Sequence, residues 1–490
     1  MMRLSWILCF VFSVSFPSGV FAEEPLPSRE TPAVRVIRDV QPAAAAIYAR
    51  RKDGRTGWGS GSVIDPRGYV LTAQHIVGDQ HLVVLAGRSP LRAKLIGTTK
   101  DSDLAILQLG GPAFNRPASP KYPLDGTTPA FIRLATADSV LLGETILNVG
   151  APGGRGVVVT QGIVSAVNFI GTNPLSLATQ SSLGFDQSLQ FDAASNPGNS
   201  GGALINMHGR QIGVVTSSVR SEEGIHFAVP PDTIRDSIPK LLYAEYRHRY
   251  RTGITVDTQR EQIFIDAVEA SSPAMEADLR AGDQIVSLDG RALRDPIDWE
   301  FSKLEFRAGD RLRLGILRQG KELAVELPLV ERQPTPGIEV EEPVAGLLAR
   351  VSEYDPRNPD PLADDDRPAG PPSVIESVTA TPPDLPREEH YEVLITGLLK
   401  VEQSGLYRLG IASDDGSKLF LHDRLLIDNG GNHSAQRRTD WAFLAEGLHP
   451  IRIEYYEDEG NQELELSIAA GDEKMLPVAP DQLFHIADGK

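Results

Sequence analysis

The nine residues Asn-Pro-Gly-Asn-Ser-Gly-Gly-Ala-Leu, Asn196 to Leu204, place a serine inside a glycine-rich turn. A serine attacks an acyl carbon only if a base takes its proton and donors meet the oxyanion that forms. The backbone N–H groups of Gly198 and Ser200, with Asn199 between them, are candidate donors. The glycines let the chain turn tightly and keep side chains out of a substrate's way. A phosphate cradle is excluded in practice, because no Gly-Lys-Ser/Thr follows and the region reads strand–turn–strand. The base should be a histidine at a strand end, and only His75 and His81 precede Ser200. His75 directly follows the apolar run "GYVLTA", whereas His81 opens the next run and is expected to face solvent. The acid that orients the base should sit on a rigid edge. Asp103, just before "LAILQL", meets that need; its rival Asp101 lies further into the loop.

These side chains need elements to hold them. The chain has 490 residues, which suggests about three domains. Residues 34–230 alternate short Val/Ile/Leu runs with Gly, Pro, Asp and Asn turns, the pattern of an all-β barrel or sandwich. A helix is expected at "PDTIRDSIPKLLYAEYRHRY", opened by Pro and Asp. Residues 252–332 mix strands with short helices, 333–344 form a Pro/Glu linker, and a further β region follows. The Pro/Asp-rich stretch 355–372 is expected to be an exposed loop.

The N-terminus has the layout of a secretory signal over residues 1–22: a basic Met1-Met2-Arg3, an apolar Leu4–Phe16, and Val20-Phe21-Ala22 before the cut. Cleavage near Ala22 would send the protein to the periplasm or the extracellular space. Cys9, the only cysteine, would leave with the signal, so the mature chain folds without disulfides. Lys and Arg number 48 against 66 Asp and Glu, a net charge of −18. That balance argues against nucleic acid and anionic lipid as partners.

The blocks "GWGSGSVIDPRGYVLTAQHIV", "DSDLAILQL", "VVVTQGIVSAV", "DAASNPGNSGGALIN" and "GIHFAVP" occur in an order that resembles HtrA/DegP-type serine proteases. The chain order His, Asp, Ser agrees with the chymotrypsin arrangement. The resemblance implies a mostly β chain. A chymotrypsin-like double β-barrel would fill 34–246, a small α+β PDZ domain 247–332, and a β-sandwich 345–486. It implies Ser200 as nucleophile, His75 as base, Asp103 as its orienter, and Gly198, Asn199 and Ser200 as the oxyanion hole. No cofactor is required for this chemistry. Trypsin-like enzymes carry an acid six residues before the serine; here Ala194 stands there. An uncharged pocket cannot offset the desolvation of Lys or Arg, so cleavage after small aliphatic residues is expected. His226, where the resemblance leads one to expect Gly or Asn, lines the pocket rim or packs in its strand. HtrA-type proteases are commonly trimers, so a homotrimer acting on unfolded polypeptide in envelope quality control is implied.

"SPAMEADLRAGDQIVSLDGRAL" resembles the heart of a PDZ domain, which binds peptide C-termini by adding a strand to its edge. "RTGIT" would supply the carboxylate-binding turn at Gly253 and Ile254, and "PIDWEFSKLEF" the helix lining the groove. The "TQREQ" connection is shorter than the family often has. "GLYRLGIASDDGSKLFLHDRLLIDNGG" resembles the protective-antigen-type (PA-fourteen) β-sandwich, some members of which bind Ca2+ and a glycan. Asp414 and Asp415, with Asn429 or Asn432, are the candidates for Ca2+ here; Asp-Asp-Gly is otherwise a plain hairpin turn. The alternative to an endopeptidase is a non-catalytic chaperone, or a glycan-binding adhesin, using the same domains as scaffold.

Overall fold

Among the described residues, apolar runs broken by Gly, Asp and Pro build twelve strands before residue 230, and they close into two rings. The structure is a computed structural model describing residues 29–487 apart from 52–53, 87, 100–101, 111–129, 153–155, 168–187, 219–223, 354–369, 384, 388, 434, 459 and 472. The signal segment, Asp101 and most of the Pro/Asp-rich stretch lie outside the described residues. After helix α1 (Pro32–Val40), the first barrel comprises β1 (Ala44–Arg50), β2 (Thr56–Asp65), β3 (Tyr69–Ala73), β4 (Gln80–Leu85), β5 (Leu91–Thr99) and β6 (Leu104–Leu109), closed in the order β1-β2-β3-β6-β5-β4. The second comprises β7 (Thr145–Gly150), β8 (Val158–Ala166), β9 (Leu189–Phe191), β10 (Ala203–Asn206), β11 (Gln211–Ser218) and β12 (His226–Val229), closed as β10-β11-β12-β9-β8-β7. Closure removes the unpaired edges that an open sheet would expose. Leu147, Val149, Ala203 and Ile205 of the second barrel share one core with Ile47, Val63, Val70 and Leu107 of the first. The seam between the barrels is therefore close-packed and stiff. β10 lies on that seam, directly after the Ser200 turn.

Helix α2 (Pro231–Leu242) starts on a proline and ends on Tyr243, whose φ of 43° closes the helix in the left-handed region. Its Ile234, Ile238 and Leu241 cover Ile96, Leu104 and Ile106 of the first barrel. The short helix α3 (Ala244–Arg247) follows at once. Next come β13 (Tyr250–Arg251), β14 (Ile254–Val256), β15 (Ile263–Val268), helix α4 (Pro273–Glu276), β16 (Gln284–Leu288), β17 (Arg291–Ala292), helix α5 (Pro296–Ser302), β18 (Arg311–Arg318), β19 (Lys321–Pro328) and β20 (Val330–Glu331). β14, β15, β16, β18 and β19 form a sheet in that order, with β14 at its edge and β17 paired to β16, while β13 pairs with β20.

Helix α5 has no free face. Asp295 caps it by accepting from Asp298 N–H at 2.9 Å, Pro296 opens it, and all seven of its residues are buried. Trp299 enters the core of its own domain with Ile265, Ile285 and Leu314. Ile297 and Phe301 instead join the core made by α2 and the barrels. The Phe301 ring stacks on Tyr69 at 4.4 Å. The helix expected to line a peptide groove is also the element that docks this domain onto the first barrel.

From Pro343 onward the chain folds into an eight-stranded and a four-stranded sheet, with Tyr391, Ile395, Leu409, Ile411 and Ile453 between them. The segment read as a linker is tied down by backbone bonds: Thr335 N–H donates to Phe443 O at 2.8 Å and Ile338 N–H to Leu448 O at 2.8 Å. Tyr243 donates to Asp440 at 3.0 Å and packs edge-on against Trp441 at 5.0 Å, joining the sandwich to the end of α2.

Candidate active site

The antiparallel pairing of β3 with β6 sets Ala73 opposite Leu104. It brings the residues just after β3 beside those just before β6. Gln74 N–H donates to Asp103 O at 2.9 Å, and His75 N–H to Asp103 Oδ1 at 3.0 Å. Asp103 takes a φ of 49°, which turns its carboxyl toward the short 3-10 segment carrying His75. His75 Nδ1 lies 2.8 Å from Asp103 Oδ2. A neutral imidazole that donates from Nδ1 to a carboxylate keeps its Nε2 lone pair for a proton. The His75 side chain is 46% exposed, so that nitrogen is open to a substrate. His81 corrects the sequence expectation. It is buried, and its Nε2 accepts the Gly78 N–H at 3.0 Å, so the ring closes the turn before β4 and does not face solvent.

Ser200 follows a turn in which Asn199 N–H donates to Asn196 O at 2.9 Å. Glycine is needed at 198, where φ is +102° and a Cβ would sit 2.8 Å from Pro152 Cβ. Gly201 is needed for a similar reason: φ is +81°, and a Cβ would lie 2.2 Å from Ser60 O. Ser60, on β2, pins the turn from below. Its Oγ donates to Gly198 O at 2.7 Å and accepts from Ala151 N–H at 2.8 Å, while its N–H donates to Ser200 O at 2.8 Å. The first barrel thus reaches across the seam to hold the turn. A Cβ on Gly59 would touch both Ile76 and Ser200 O, so the His75 segment and the serine border the same glycine.

Among the described residues the Gly198 and Ser200 N–H groups have no acceptor, while that of Asn199 is used in the turn. The Asn199 side chain is buried toward Gly150 and Ser60. The Ser200 hydroxyl donates to Thr216 O of β11 at 3.1 Å, and among the described residues no hydrogen bond joins it to His75.

Ser60, Thr216 and Pro152 were not singled out in the sequence. Ser60 lies in a quoted block, but only the fold shows its hydroxyl under Gly198. Ala194 is exposed, and its carbonyl accepts from Asn148 Nδ2 at 3.1 Å and Thr160 Oγ1 at 2.6 Å. His226 is buried on β12 opposite Phe191, the rings 5.4 Å apart. Burial, partly offset by the charge of Asp192, lowers its pKa, and among the described residues its Nδ1 has no hydrogen-bond partner.

At the PDZ-like turn, Gly253 has φ +77°, and a Cβ there would strike Ser272 at 2.2 Å. Ile254 is buried at the head of β14. The Ca2+ candidates are each engaged with protein groups. Asp414 is held by the Ala435 N–H, and Asp415 Oδ2 accepts Asp458 N–H at 2.8 Å. Asn429 is used on both sides, by Ser413 and Arg438. Asn432 bonds Tyr456 and Asp458. Among the described residues no group of three or more His, Cys, Asp or Glu is gathered to hold a metal ion. Asp414 and Asp415 thus accept backbone N–H groups of neighbouring loops, and a calcium site at this turn is not shown.

Comparison with known proteins adds to the geometry. The description "Trypsin-like peptidase domain" matches residues 59–214, "PDZ domain" 251–329 and "PA14 domain" 346–482. The chain carries all three domains. Over 290 residues it is 32% identical to periplasmic serine endoprotease DegP of Escherichia coli K12, covering 55% of this chain and 56% of that protein. It is 32% identical over 293 residues to the periplasmic pH-dependent serine endoprotease DegQ of the same organism, covering 56% of this chain and 59% of the relative. The chain spans a little over half the length of the curated relatives it matches. The crystal structure of a serine endoprotease from Yersinia pestis is 28% identical, covering 63% of this chain and all of that one, with a TM-score of 0.35. HtrA-type protease AlgW with a tripeptide is 26% identical over 62% of this chain and 99% of that chain, with a TM-score of 0.36. Among the described residues no helix is long and apolar enough to cross a membrane.

Proposed function

We propose that this protein is an exported serine endopeptidase that cleaves unfolded or exposed polypeptide in protein quality control of the cell envelope. The observation that carries the reading is the His75–Asp103 pair near a turn that holds Ser200, where the Gly198 and Ser200 N–H groups have no acceptor among the described residues. In the proposed mechanism Ser200 Oγ leaves Thr216 O, gives its proton to His75 Nε2 and attacks the peptide carbonyl. The Gly198 and Ser200 N–H groups receive the oxyanion. Asp103 holds the ring and offsets the imidazolium charge that forms. His75 then protonates the leaving amine, and the acyl-enzyme remains on Ser200. A water, deprotonated by the same nitrogen, releases the acid and restores the serine. Degradation of casein by the full chain, with Ser200→Ala as control, tests the assignment.

Ala194 places no charge at the position six before Ser200, which supports cleavage after small aliphatic residues. A peptide library digested by the protein should show Val, Ala or Ile before the cut. A dominant Arg or Lys would reject this specificity. Export is supported by the basic and apolar runs of residues 1–22. N-terminal sequencing of protein recovered from the periplasm should begin at or near Glu23, and an uncleaved Met1 would reject it.

A further inference from the structure

The turn Arg251-Thr252-Gly253-Ile254 is where a peptide C-terminus would place its carboxylate, if the PDZ domain binds peptides as its kind does. The chain already has a carboxylate there. Glu245, on α3, takes the Thr252 hydroxyl on Oε1, and Oε2 lies 3.4 Å from the Thr252 N–H. Ile254 N–H donates to Thr252 Oγ1 at 3.1 Å, so the hydroxyl relays a second backbone donor to the same acid. Arg332 Nη2 sits 2.9 Å from Oε2, and its guanidinium lies 4.3 Å from the centre of the Tyr246 ring. Thr252 is fully buried, and the Glu245 side chain is 14% exposed. A carboxylate this shielded needs partners, and charge-assisted bonds to an arginine and a hydroxyl supply them.

The register shows that the donor involved is one a ligand would want. Glu269 N–H donates to Gly253 O at 2.9 Å, which makes Gly253 and Glu269 a hydrogen-bonded pair. Ile254, opposite Val268, is then a non-hydrogen-bonded position, and its N–H points away from β15. β14 is the edge of the sheet, so that N–H lies on the side where an added strand would pair. It is spent on the Thr252 relay. Glu245 and Thr252 are seven residues apart. An internal competitor on so short a tether acts at high effective concentration.

We propose that Glu245 caps the carboxylate turn of the PDZ domain from within the chain, so that a peptide C-terminus binds only by displacing it. The proposal rests on reading the domain as a peptide binder. The test uses the full chain carrying Ser200→Ala, so that the probe is not cut. The probes are a short fluorescein-labelled peptide ending in valine with a free carboxylate, and the same peptide amidated. Anisotropy titration should show the free-acid peptide binding Glu245→Gln about tenfold tighter than the parent, a difference of about 1.4 kcal/mol. The amide should bind both equally. Glu245→Gln keeps an acceptor for Thr252 and so preserves the fold; Glu245→Ala, checked by thermal unfolding, removes the acceptor as well. Equal affinity of parent and both variants for the free acid overturns the cap, and so does an equal gain for acid and amide. If neither peptide binds parent or variants, the peptide-binding reading itself falls.

Discussion

Ser200→Ala is expected to end casein degradation, lowering kcat by about 100,000-fold or more, with the fold unchanged. The reasoning follows from what each group is asked to do. Without the hydroxyl there is no nucleophile for His75 to activate, and the acyl-enzyme route closes. The Gly198 and Ser200 amides are backbone and survive the substitution, so any residual rate is what the oxyanion donors and binding alone supply. Asp103→Asn should cost about 10,000-fold, because an amide that donates to Nδ1 forces the imidazole into the tautomer whose Nε2 cannot accept. The double variant His75→Ala with Ser200→Ala should be no slower than either single one, since the two residues act as a unit. Single-turnover kinetics on a chromogenic peptide measures all three. Cleavage by Ser200→Ala equal to that of the parent would reject Ser200 as the nucleophile, whereas no cleavage by the parent itself would favour a scaffold that binds chains without cutting them.

The site was legible in the sequence where one short segment carries both the residue and its setting. His75 follows an apolar run, Asp103 precedes one, and Ser200 sits among glycines; each is placed by its own strand end. What was not legible depends on contacts between distant segments. Ser60 reads as one more small residue in a strand, and only the seam between barrels shows its hydroxyl under Gly198. The engagement of Ser200 by Thr216 O depends on how β11 approaches the turn. His81 looked solvent-facing because strand position alone does not reveal that Gly78 would need an acceptor. Asp414 and Asp415 read as hard ligands, and the sequence does not reveal that the Ala435 and Asp458 N–H groups also donate to them. The docking of α5 was hidden for the same reason. "PIDWEFSKLEF" shows an amphipathic helix, but not that it has two apolar neighbours instead of one.

That docking carries the second large effect. At the end of β2 and in the turn after it, Arg67 N–H donates to Asp65 Oδ1 at 2.9 Å. The Arg67 side chain, 2% exposed, also pairs with Asp65 at 2.7 Å and reaches across to Asp298 of α5 at 2.8 Å. Arg294 joins Asp65 at 2.6 Å and Asp298 at 3.1 Å, and Arg291 adds a contact to Asp298 at 3.0 Å. Ser302 Oγ accepts from Arg67 at 3.0 Å. Asp65 and Asp298, with Glu305 3.9 Å from Arg67, thus meet three arginines at the edge of an apolar contact made by Phe301 and Tyr69. Burial alone would raise the Asp298 pKa; the Arg294 hydrogen bond and the fields of Arg294, Arg67 and Arg291 outweigh it and hold the group at about 2.

Removing one partner from such a group leaves buried charge unmatched, which costs more than the pair is worth. Asp298→Ala in the Ser200→Ala background should therefore lower the stability of the barrel–PDZ unit by roughly 3–5 kcal/mol. The unfolding midpoint, followed by fluorescence of the buried Trp299, should drop by roughly 6–10 °C. A group whose folded pKa is depressed stabilises above its unfolded value and loses that contribution as pH falls through the folded one. For Asp298 the window runs from the ordinary 3.8 down to about 2, and its contribution at neutral pH is about 2 kcal/mol. The gap between parent and Asp298→Asn should be full above about pH 4 and narrow progressively toward pH 2. A midpoint within about 1 °C of the parent at pH 7 would show that the apolar contact of Ile297 and Phe301 holds the domains without help from the charges.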